Sequence, residues 1–427
     1  MAESAAVQRT IEAIWRIESA RLIASVARLV RDVGVAEDLA QDAFVAALEQ
    51  WPESGVPDNP GAWLMAAAKR KAIDHLRRRQ TFDRKETQIV HDIESRDADA
   101  DIHDTIDDDV GDDLLRLIFT ACHPVLSTDA RTALTLRLLG GLTTAEIARA
   151  YLTSEATIQQ RIVRAKRTLT EAQVRFELPR ADERMARLAS VLEVIYLIFN
   201  EGYQATEGDR LIRHELCDEA LRLGRILAGM VPDEPEVHGL VALLEIQASR
   251  LRARVGPSGE PILLLDQDRA RWDRVLIRRG LDALDRAVAL GKPLGPYALQ
   301  ASITACHARA NVASETDWER IVALYDALAQ ITQSPVIELN RAVAVSMALG
   351  AAAGLEMVEE LSEEITLAKY HLLHAVRGDL LEKLGRRDEA RAAFDAAASL
   401  TRNERERELL AARARANAEP RRHLTST

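Results

Sequence analysis

The chain contains 427 residues, 47% hydrophobic but only 4% aromatic, and carries a formal net charge of −11. This length allows about three domains with substantial cores, and the composition is typical of an alanine- and leucine-rich helical protein. No apolar run reaches the roughly 20 residues that a membrane-spanning helix needs, and the N-terminus lacks a secretory signal pattern, so we expect a cytoplasmic protein without membrane contact.

An amphipathic helix is predicted for residues 36–51, AEDLAQDAFVAALEQW. Its apolar face packs into a core and consists of Ala40, Phe44, Ala47, Leu48 and Trp51. Its other face is acidic and amide-bearing, and carries Asp38, Gln41, Asp42 and Glu49, with Glu37 near the start. Such a face is either simply solvated or the binding site of a basic partner.

A second helix follows directly, because Asn59 is a good N-cap and Pro60 a good first helical residue. Its inward face is apolar and consists of Leu64, Ala68, Ala72 and Leu76. Its outward face is strongly basic, which suits a phosphate backbone, and consists of Arg70, Asp74, Arg77 and Arg78 with Lys69, Lys71, His75 and Arg79 beside them. Trp63 is either a core residue or a surface that holds an unstacked base.

Residues 92–113 read DIESRDADADIHDTIDDDVGDD, an acidic stretch without apolar periodicity. Such a segment cannot bury enough apolar surface to fold and is predicted to be a flexible linker. Its charge leaves two roles open, a solvated tether or a mimic of nucleic acid inside a positively charged channel.

Residues 143–169, TTAEIARAYLTSEATIQQRIVRAKRTL, have the pattern of a helix-turn-helix. Thr143 and Glu146 form a capping box at the first helix, and Ser154 caps the second. The second helix buries an apolar stripe of Ile158, Ile162, Ala165 and Leu169. Its opposite face can reach bases and phosphates in a major groove and carries Thr157, Gln160, Arg161, Arg164 and Arg167. A solvated helix has a similar composition, but two capped helices joined by a short turn favour DNA binding.

In this order and spacing, the two segments resemble the two globular domains of an extracytoplasmic-function sigma factor, a bacterial polymerase subunit that selects promoters. The resemblance implies binding of core RNA polymerase by Asp38, Leu39, Gln41, Asp42 and Val45. It implies binding of the minus-ten promoter element by Asn59, Trp63, Lys69, Arg70, Lys71, Asp74, His75, Arg77 and Arg78. It implies binding of the minus-thirty-five element by Ser154, Glu155, Thr157, Gln160, Arg161, Arg164 and Arg167.

The remainder of the chain, beyond about residue 176, is predicted to be an array of helical hairpins, with breaks at several prolines. The clearest repeat fits the tetratricopeptide spacing and comprises Gly378, Gly385, Ala390, Phe394, Ala397 and Leu400. Residues 340–361 look like a more degenerate neighbour. Stacked hairpins of this kind form a curved solenoid whose concave face is a candidate site for a protein or peptide partner.

Local strings in this part, such as NEGY at 200–203, RHELCDEALRL at 213–223 and LLDQDRARWD at 264–273, resemble a sigma-factor branch with a tetratricopeptide-type extension. The resemblance implies that the extension regulates the protein by docking on its own sigma domains. The expected architecture is all-α, in five parts. These are a first sigma domain (1–82), an acidic flexible linker (83–112), a second sigma domain (113–178), the helical extension (179–417) and a frayed tail (418–427).

Two other functions compete with this interpretation. A one-component regulator would combine the helix-turn-helix with a sensor domain, but it has no need for the acidic and basic faces ahead of that unit. A scaffold protein would use mainly the extension. An enzyme is the weakest hypothesis, because the Cys122–His123 and Cys306–His307 pairs lack converging partners, and His371 and His374 suit packing better than metal binding. The sequence therefore predicts no catalytic site and no cofactor.

Overall fold

A computed structural model describes residues 2–87, 110–151, 153–364 and 367–418. Within these ranges the chain forms eighteen α-helices, a few short 3₁₀ turns and one pair of two-residue strands, so the all-α prediction is confirmed. The chain divides into two compact units, Met1–Ile195 and Tyr196–Thr427. Across the described ranges, every helix is too short or too polar to span a lipid bilayer.

The first unit is built around a long N-terminal helix, against which the next three helices pack. The four helices are α1 (Ala2–Val30), α2 (Val33–Ser54), α3 (Pro60–Thr87) and α4 (Val110–Ala121). Leu22, Ile23 and Val26 of α1 are almost fully buried among them. This burial makes α1 the central element of the fold that carries the acidic and basic faces.

Helices α2 and α3 begin at N-caps that satisfy their first amide groups. The Asp32 side chain accepts a hydrogen bond from Val35 N at 3.0 Å, and Asn59 Oδ1 accepts one from Ala62 N at 3.1 Å. Most of the predicted inward positions are buried, whereas Phe44 and Leu48 of α2 and Leu76 of α3 are half-buried. Because Asp32 provides the cap, α2 begins three residues before the predicted start.

The ends of the predicted linker are helical. Helix α3 extends to Thr87, and α4 begins at Val110. The remaining linker residues, 88–109, lie outside the described residues, as does the predicted tail from residue 419.

The rest of the first unit contains the helix-turn-helix. Its helices are α5 (Thr128–Leu138), α6 (Thr144–Ala150) and α7 (Glu155–Glu171), followed by α8 (Ala181–Tyr203), which crosses the boundary between the units. The first part of α8 packs on this domain through Arg131, which bonds Ser190 and lies 3.1 Å from a carboxylate oxygen of Glu193. Ser190 also donates to the Cys122 carbonyl at 2.6 Å. The domain that contains the helix-turn-helix is therefore joined to the start of the predicted extension by direct contacts.

The second unit continues with ten helices in the described ranges. They are α9 (His214–Met230), α10 (Pro235–Ala248), α11 (Arg274–Ala289), α12 (Pro296–Arg309), α13 (Trp318–Ile331), α14 (Pro335–Leu349), α15 (Ala351–Leu361), α16 (His371–Lys383), α17 (Arg387–Leu400) and α18 (Glu404–Ala418). Three of them begin with proline, whose fixed φ and missing N–H suit a first helical position. Gly239 allows α10 to approach α12 closely, since a Cβ there would lie 2.6 Å from Ala298 N.

The predicted repeat near the C-terminus is a close-packed helical hairpin of α16 and α17. Phe394 is fully buried, and a Cβ on Gly378 would lie 2.8 Å from its ring. Gly385, in the turn, has a φ of +76°, a conformation that glycine adopts without strain. The hairpin packing is confirmed, while its assignment to the tetratricopeptide class stays a prediction.

Replacing Phe394 with alanine should destabilise this hairpin by about 3–5 kcal/mol, because it leaves a cavity against Gly378. Hydrogen exchange of peptides from α16 and α17 in the full-length chain measures this loss. The control is Leu384→Ala, since Leu384 is 40% exposed and should contribute little. Equal protection in the two variants would contradict the packing described.

The first and last segments of the second unit are joined. Strand β1 (Glu207–Gly208) pairs in parallel with β2 (Arg402–Asn403). The fully buried Asn403 side chain donates to the carbonyl groups of Ala205 and Arg210 at 3.0 and 2.9 Å. These bonds link the two ends of the helical array, a closure that the solenoid prediction did not include.

Candidate polymerase and nucleic-acid interfaces

The helix-turn-helix has the predicted caps and the predicted buried stripe. Thr143 N donates to Glu146 Oε2 at 2.8 Å, and Glu146 N donates to Thr143 Oγ1 at 3.1 Å, which is a reciprocal capping box. Thr157 N donates to Ser154 Oγ at 3.1 Å at the start of α7. The four predicted core residues, Ile158, Ile162, Ala165 and Leu169, are each at most 6% exposed.

Some polar side chains on the outward face of α7 are paired within the protein, and others are available to a ligand. Gln160 and Arg164 are exposed, and the Arg164 guanidinium forms no ion pair with another described residue. Arg161 lies 3.2 Å from a carboxylate oxygen of Asp129, and Arg167 lies 2.6 Å from one of Glu171. Exposed ion pairs of this kind contribute little to stability, so both arginines can exchange their partners for phosphates.

The outer face of α3 is predominantly basic over the residues whose side chains are described. Its exposed arginines are Arg70, Arg77, Arg78 and Arg79, with Lys69, Lys71 and His75 half-buried beside them, and the exposed Asp74 lies among them. Trp63, at the start of the helix, is half-buried, and its ring lies edge-on to the fully buried Trp51, with the ring centroids 5.3 Å apart. Trp63 therefore takes part in the core of the domain and also keeps a surface exposed.

The acidic face of α2 is only partly as predicted. Asp38, Asp42 and Val45 are exposed, and Leu39 and Gln41 are half-buried. Glu37, expected near the solvated start of the helix, is instead 3% exposed. Its Oε1 accepts a hydrogen bond from Gln41 at 2.6 Å, so the amide next to the acidic face is held by an intrahelical contact.

Glu37 is buried because it faces cations from the helix-turn-helix domain. Arg137 Nε lies 2.6 Å from Glu37 Oε1, and Lys166 Nζ lies 2.7 Å from Glu37 Oε2. Lys166 also lies 3.7 Å from Asp38 Oδ1. The recognition helix α7 is thus in direct contact with the start of the predicted polymerase-binding helix.

Further contacts extend this interface. Arg16 of α1 forms an ion pair with Glu146 of α6, and Gly141, with a φ of +63°, lies against Ser19. Sequence analysis did not single out Arg16, Arg137 or Lys166, because their partners lie 100 or more residues away along the chain, where no local pattern indicates them.

Three of the residues weighed as enzymatic candidates, Cys122, His307 and His371, pack within the protein. Burial raises the pKa of the Cys122 thiol to about 11 and lowers the pKa of His307 to about 3, so the first stays protonated and the second neutral near pH 7. His371 Nε2 lies 3.2 Å from a carboxylate oxygen of Glu406, so it packs against the C-terminal helix. No group of three or more metal-ligating side chains occurs among the residues with described positions.

Comparison with known proteins agrees with this geometry. Residues 17–82 match Sigma-70 region 2, and residues 116–169 match Sigma-70, region 4. Residues 187–288 match a family of unknown function, DUF6596.

Three relatives illustrate the similarity. The uncharacterized protein R00370 of Rhizobium meliloti (strain 1021) is 45% identical over 379 residues, which cover 88% of each chain. The probable ECF RNA polymerase sigma factor SigI of Mycobacterium tuberculosis is 29% identical over 181 residues, 42% of this chain and 61% of SigI. The ECF RNA polymerase sigma factor SigK of Mycobacterium ulcerans is 31% identical over 156 residues, 35% of this chain and 78% of SigK.

The first unit thus has the two domains of a sigma-70 type initiation factor, each with the polar faces described above. The chain belongs to the extracytoplasmic-function group of these sigma factors, with a C-terminal helical extension. Core RNA polymerase and promoter DNA are the partners that this family implies.

Proposed function

We propose that this protein directs promoter-specific transcription initiation in the cytoplasm through three surfaces of its first unit. The acidic face of α2 binds core RNA polymerase, the basic face of α3 opens and holds the minus-ten element, and the outer face of α7 binds the minus-thirty-five element. The observation that carries the proposal is the exposed pair Gln160 and Arg164 on a helix whose other face is fixed in a core. Side chains held in this way can enter a major groove without any change of the fold.

Run-off transcription tests the proposal. Purified core polymerase, genomic DNA fragments and the full-length chain should give specific transcripts, and the chain should co-elute with core polymerase. Failure of both would favour the one-component regulator, which binds an operator without polymerase.

If Arg164 contacts a base, Arg164→Ala should weaken binding to a promoter identified in this way by about 1–3 kcal/mol, and transcription from that promoter should fall accordingly. The variant should also discriminate less between bases at the contacted position. If Arg164 contacts a phosphate instead, all promoters should weaken alike and the salt dependence should decrease. Arg175→Ala provides the control, since Arg175 lies beyond the end of α7. Unchanged transcription with Arg164→Ala would contradict the proposed contact between α7 and DNA.

We also propose that the helical extension modulates this activity. Support comes from α8, whose first part packs on α5 through Arg131 and Ser190, so the start of the extension is fixed to the domain that carries the candidate DNA-binding helix α7. The test compares run-off transcription by the full chain and by a form that ends at Ile195, after circular dichroism has shown that the shorter form keeps its helices. Equal activity of the two forms would exclude modulation under those conditions.

A further inference from the structure

A short part of the second unit is unusually rich in arginine. Residues 250–279 contain eight arginines, no lysine and four acidic residues, whereas the whole chain has a net charge of −11. This part lies within the match to the family of unknown function, residues 187–288. Arginine is enriched in protein interfaces because its planar guanidinium forms bidentate bonds and packs on apolar surfaces.

Two of these arginines are buried without a carboxylate partner. Arg250 and Arg269 are each 6% exposed, and no carboxylate oxygen of a described residue lies within 4 Å of either guanidinium. Arg250 lies against the ring of Trp272 at 5.8 Å, and its buried Nε has no hydrogen-bond partner among the described residues. Arg269 donates only to neutral oxygens, including the carbonyl groups of His307 and Ala310 at 2.6 and 2.7 Å.

Buried positive charge of this kind is unfavourable unless an anion compensates it. Burial and the neighbouring Arg250 lower the pKa of Arg269, and the more distant carboxylate of Glu315 offsets this shift only in part. The charge is close to the surface, since Trp272, which Arg250 and Arg269 both contact, also lines a surface pocket. Two buried guanidinium groups therefore lie against a ring that forms part of the pocket lining.

The pocket has a volume of about 640 Å³ and combines an apolar floor with a polar rim that carries two arginines. The floor consists of Leu251, Val255 and Trp272, and the rim of His214, Arg252 and Arg271. The carboxylate that also lines it, that of Asp273, is engaged in capping α11, since its Oδ1 accepts from Val275 N at 2.9 Å and Leu276 N at 3.1 Å.

The surroundings of the pocket repeat this combination of charge and apolar surface. Arg274 and Arg278 are exposed on the adjoining turns of α11, and neither pairs with a carboxylate of a described residue. Three large apolar side chains nearby in sequence are also exposed, namely Leu263 (45%), Leu265 (38%) and Val275 (56%). An exposed apolar group beside unpaired arginines is typical of a protein-binding surface.

We propose that this arginine surface, formed by Arg252, Arg271, Arg274 and Arg278 around the pocket, binds an acidic polypeptide segment of a partner protein. An apolar side chain of that segment enters the pocket, and its carboxylates pair with the arginines around it. The inference extends beyond the sigma function and does not depend on it, because it concerns the second unit alone and is measured by peptide binding.

The observations favour a polypeptide over a nucleic acid. On α11, Arg274 and Arg278 share one face with the exposed Asp282 and Asp285, which follow at spacings of four and three residues. A phosphate backbone that followed α11 past Arg278 would meet both carboxylates, whereas a short peptide segment that ends at Arg278 would not. Trp272 is 3% exposed and its ring is contacted by Arg250 and Arg269, so it offers a nucleotide base little area for stacking.

Fluorescence anisotropy with the full-length chain tests the proposal. The probe is a fluorescein-labelled ten-residue peptide of aspartate and glutamate with a central leucine-phenylalanine pair. The Arg271→Ala/Arg274→Ala variant should bind it at least about tenfold more weakly, since contacts beside a desolvated pocket dominate binding energy. The matched control is Arg309→Ala/Arg391→Ala, which removes the same charge at two exposed sites elsewhere in the unit and should change the affinity less than twofold, as expected for surface charges.

Four outcomes would overturn the proposal. An equal loss in both double variants would show only non-specific attraction, and equal binding of a peptide with glycines in place of the apolar pair would exclude the pocket. Tighter binding of random duplex DNA, dependent on Arg271 and Arg274, would assign the surface to nucleic acid. Tighter peptide binding by Asp107→Asn/Asp108→Asn/Asp109→Asn would indicate that the chain's own acidic segment is the occupant.

Discussion

Reversing two charges on α2, by Asp38→Arg with Asp42→Arg, should weaken binding to core RNA polymerase by at least about 3 kcal/mol, or roughly 100-fold. Both carboxylates are exposed, and the resemblance to sigma factors places a basic polymerase surface opposite them. The reversal replaces attraction by repulsion without disturbing the core, because the apolar face of the helix stays intact. Co-elution with core polymerase and run-off transcription measure the loss.

The matched control is Glu49→Arg with Glu53→Arg, which changes the charge of α2 by the same amount at exposed positions beyond the predicted contact. This control should bind polymerase nearly as well as the unchanged chain. Equal loss in the two variants would mean that only the total charge of the helix matters. If the Asp38→Arg/Asp42→Arg variant still binds core polymerase, these two residues do not contribute to the polymerase interface.

The local architecture of the two sigma domains could be predicted because the signals that determine it are short-range. The capping box at Thr143 and Glu146, the Ser154 cap and the apolar stripe of α7 each involve residues within one or two helical turns. Their positions in the structure agree with those signals. The hairpin around Phe394 was predictable for the same reason.

Other features depend on contacts between residues far apart in sequence, and they could not be predicted. A glutamate such as Glu37 at the start of a helix is expected to be solvated. It is buried instead, because Arg137 and Lys166 of another domain form ion pairs with it. The closure of the second unit by Asn403, some 200 residues from its carbonyl partners, is a second example. The pocket at Trp272 is a third, since its rim combines residues from separate turns and loops.

Binding of both promoter elements, as proposed above, would require the contact between the two sigma domains to break. The minus-ten and minus-thirty-five elements are separated by roughly 25 base pairs, which is about 85 Å of B-form DNA. In the structure, Lys166 of α7 lies 2.7 Å from Glu37 of α2. The proposed function therefore treats the described arrangement as a closed form that opens on a promoter.

Removing either partner of the Glu37–Lys166 pair should shift the chain toward the open form. Lys166→Met keeps the aliphatic stem of the side chain and removes its charge, whereas Glu37→Gln removes the charge that both Arg137 and Lys166 face. Because the two residues interact directly, the double variant should open less than the sum of the single variants, with a coupling energy of about 0.5–3 kcal/mol. The readout is the distance between spin labels at Gln50→Cys and Gln159→Cys, two exposed positions on α2 and α7.

Labelling should be selective, because burial raises the pKa of all three native thiols, Cys122, Cys217 and Cys306, and keeps them protonated. The control is Arg167→Met, since Arg167 neighbours Lys166 but pairs with Glu171 of its own helix. If the closed form limits binding, Lys166→Met should bind core polymerase more tightly in the absence of DNA. The affinity should increase by the same factor as the fraction of molecules in the open form. Longer label distances without tighter binding would show that the closed form does not limit holoenzyme formation, and unchanged distances would show that Glu37 and Lys166 do not hold the domains together.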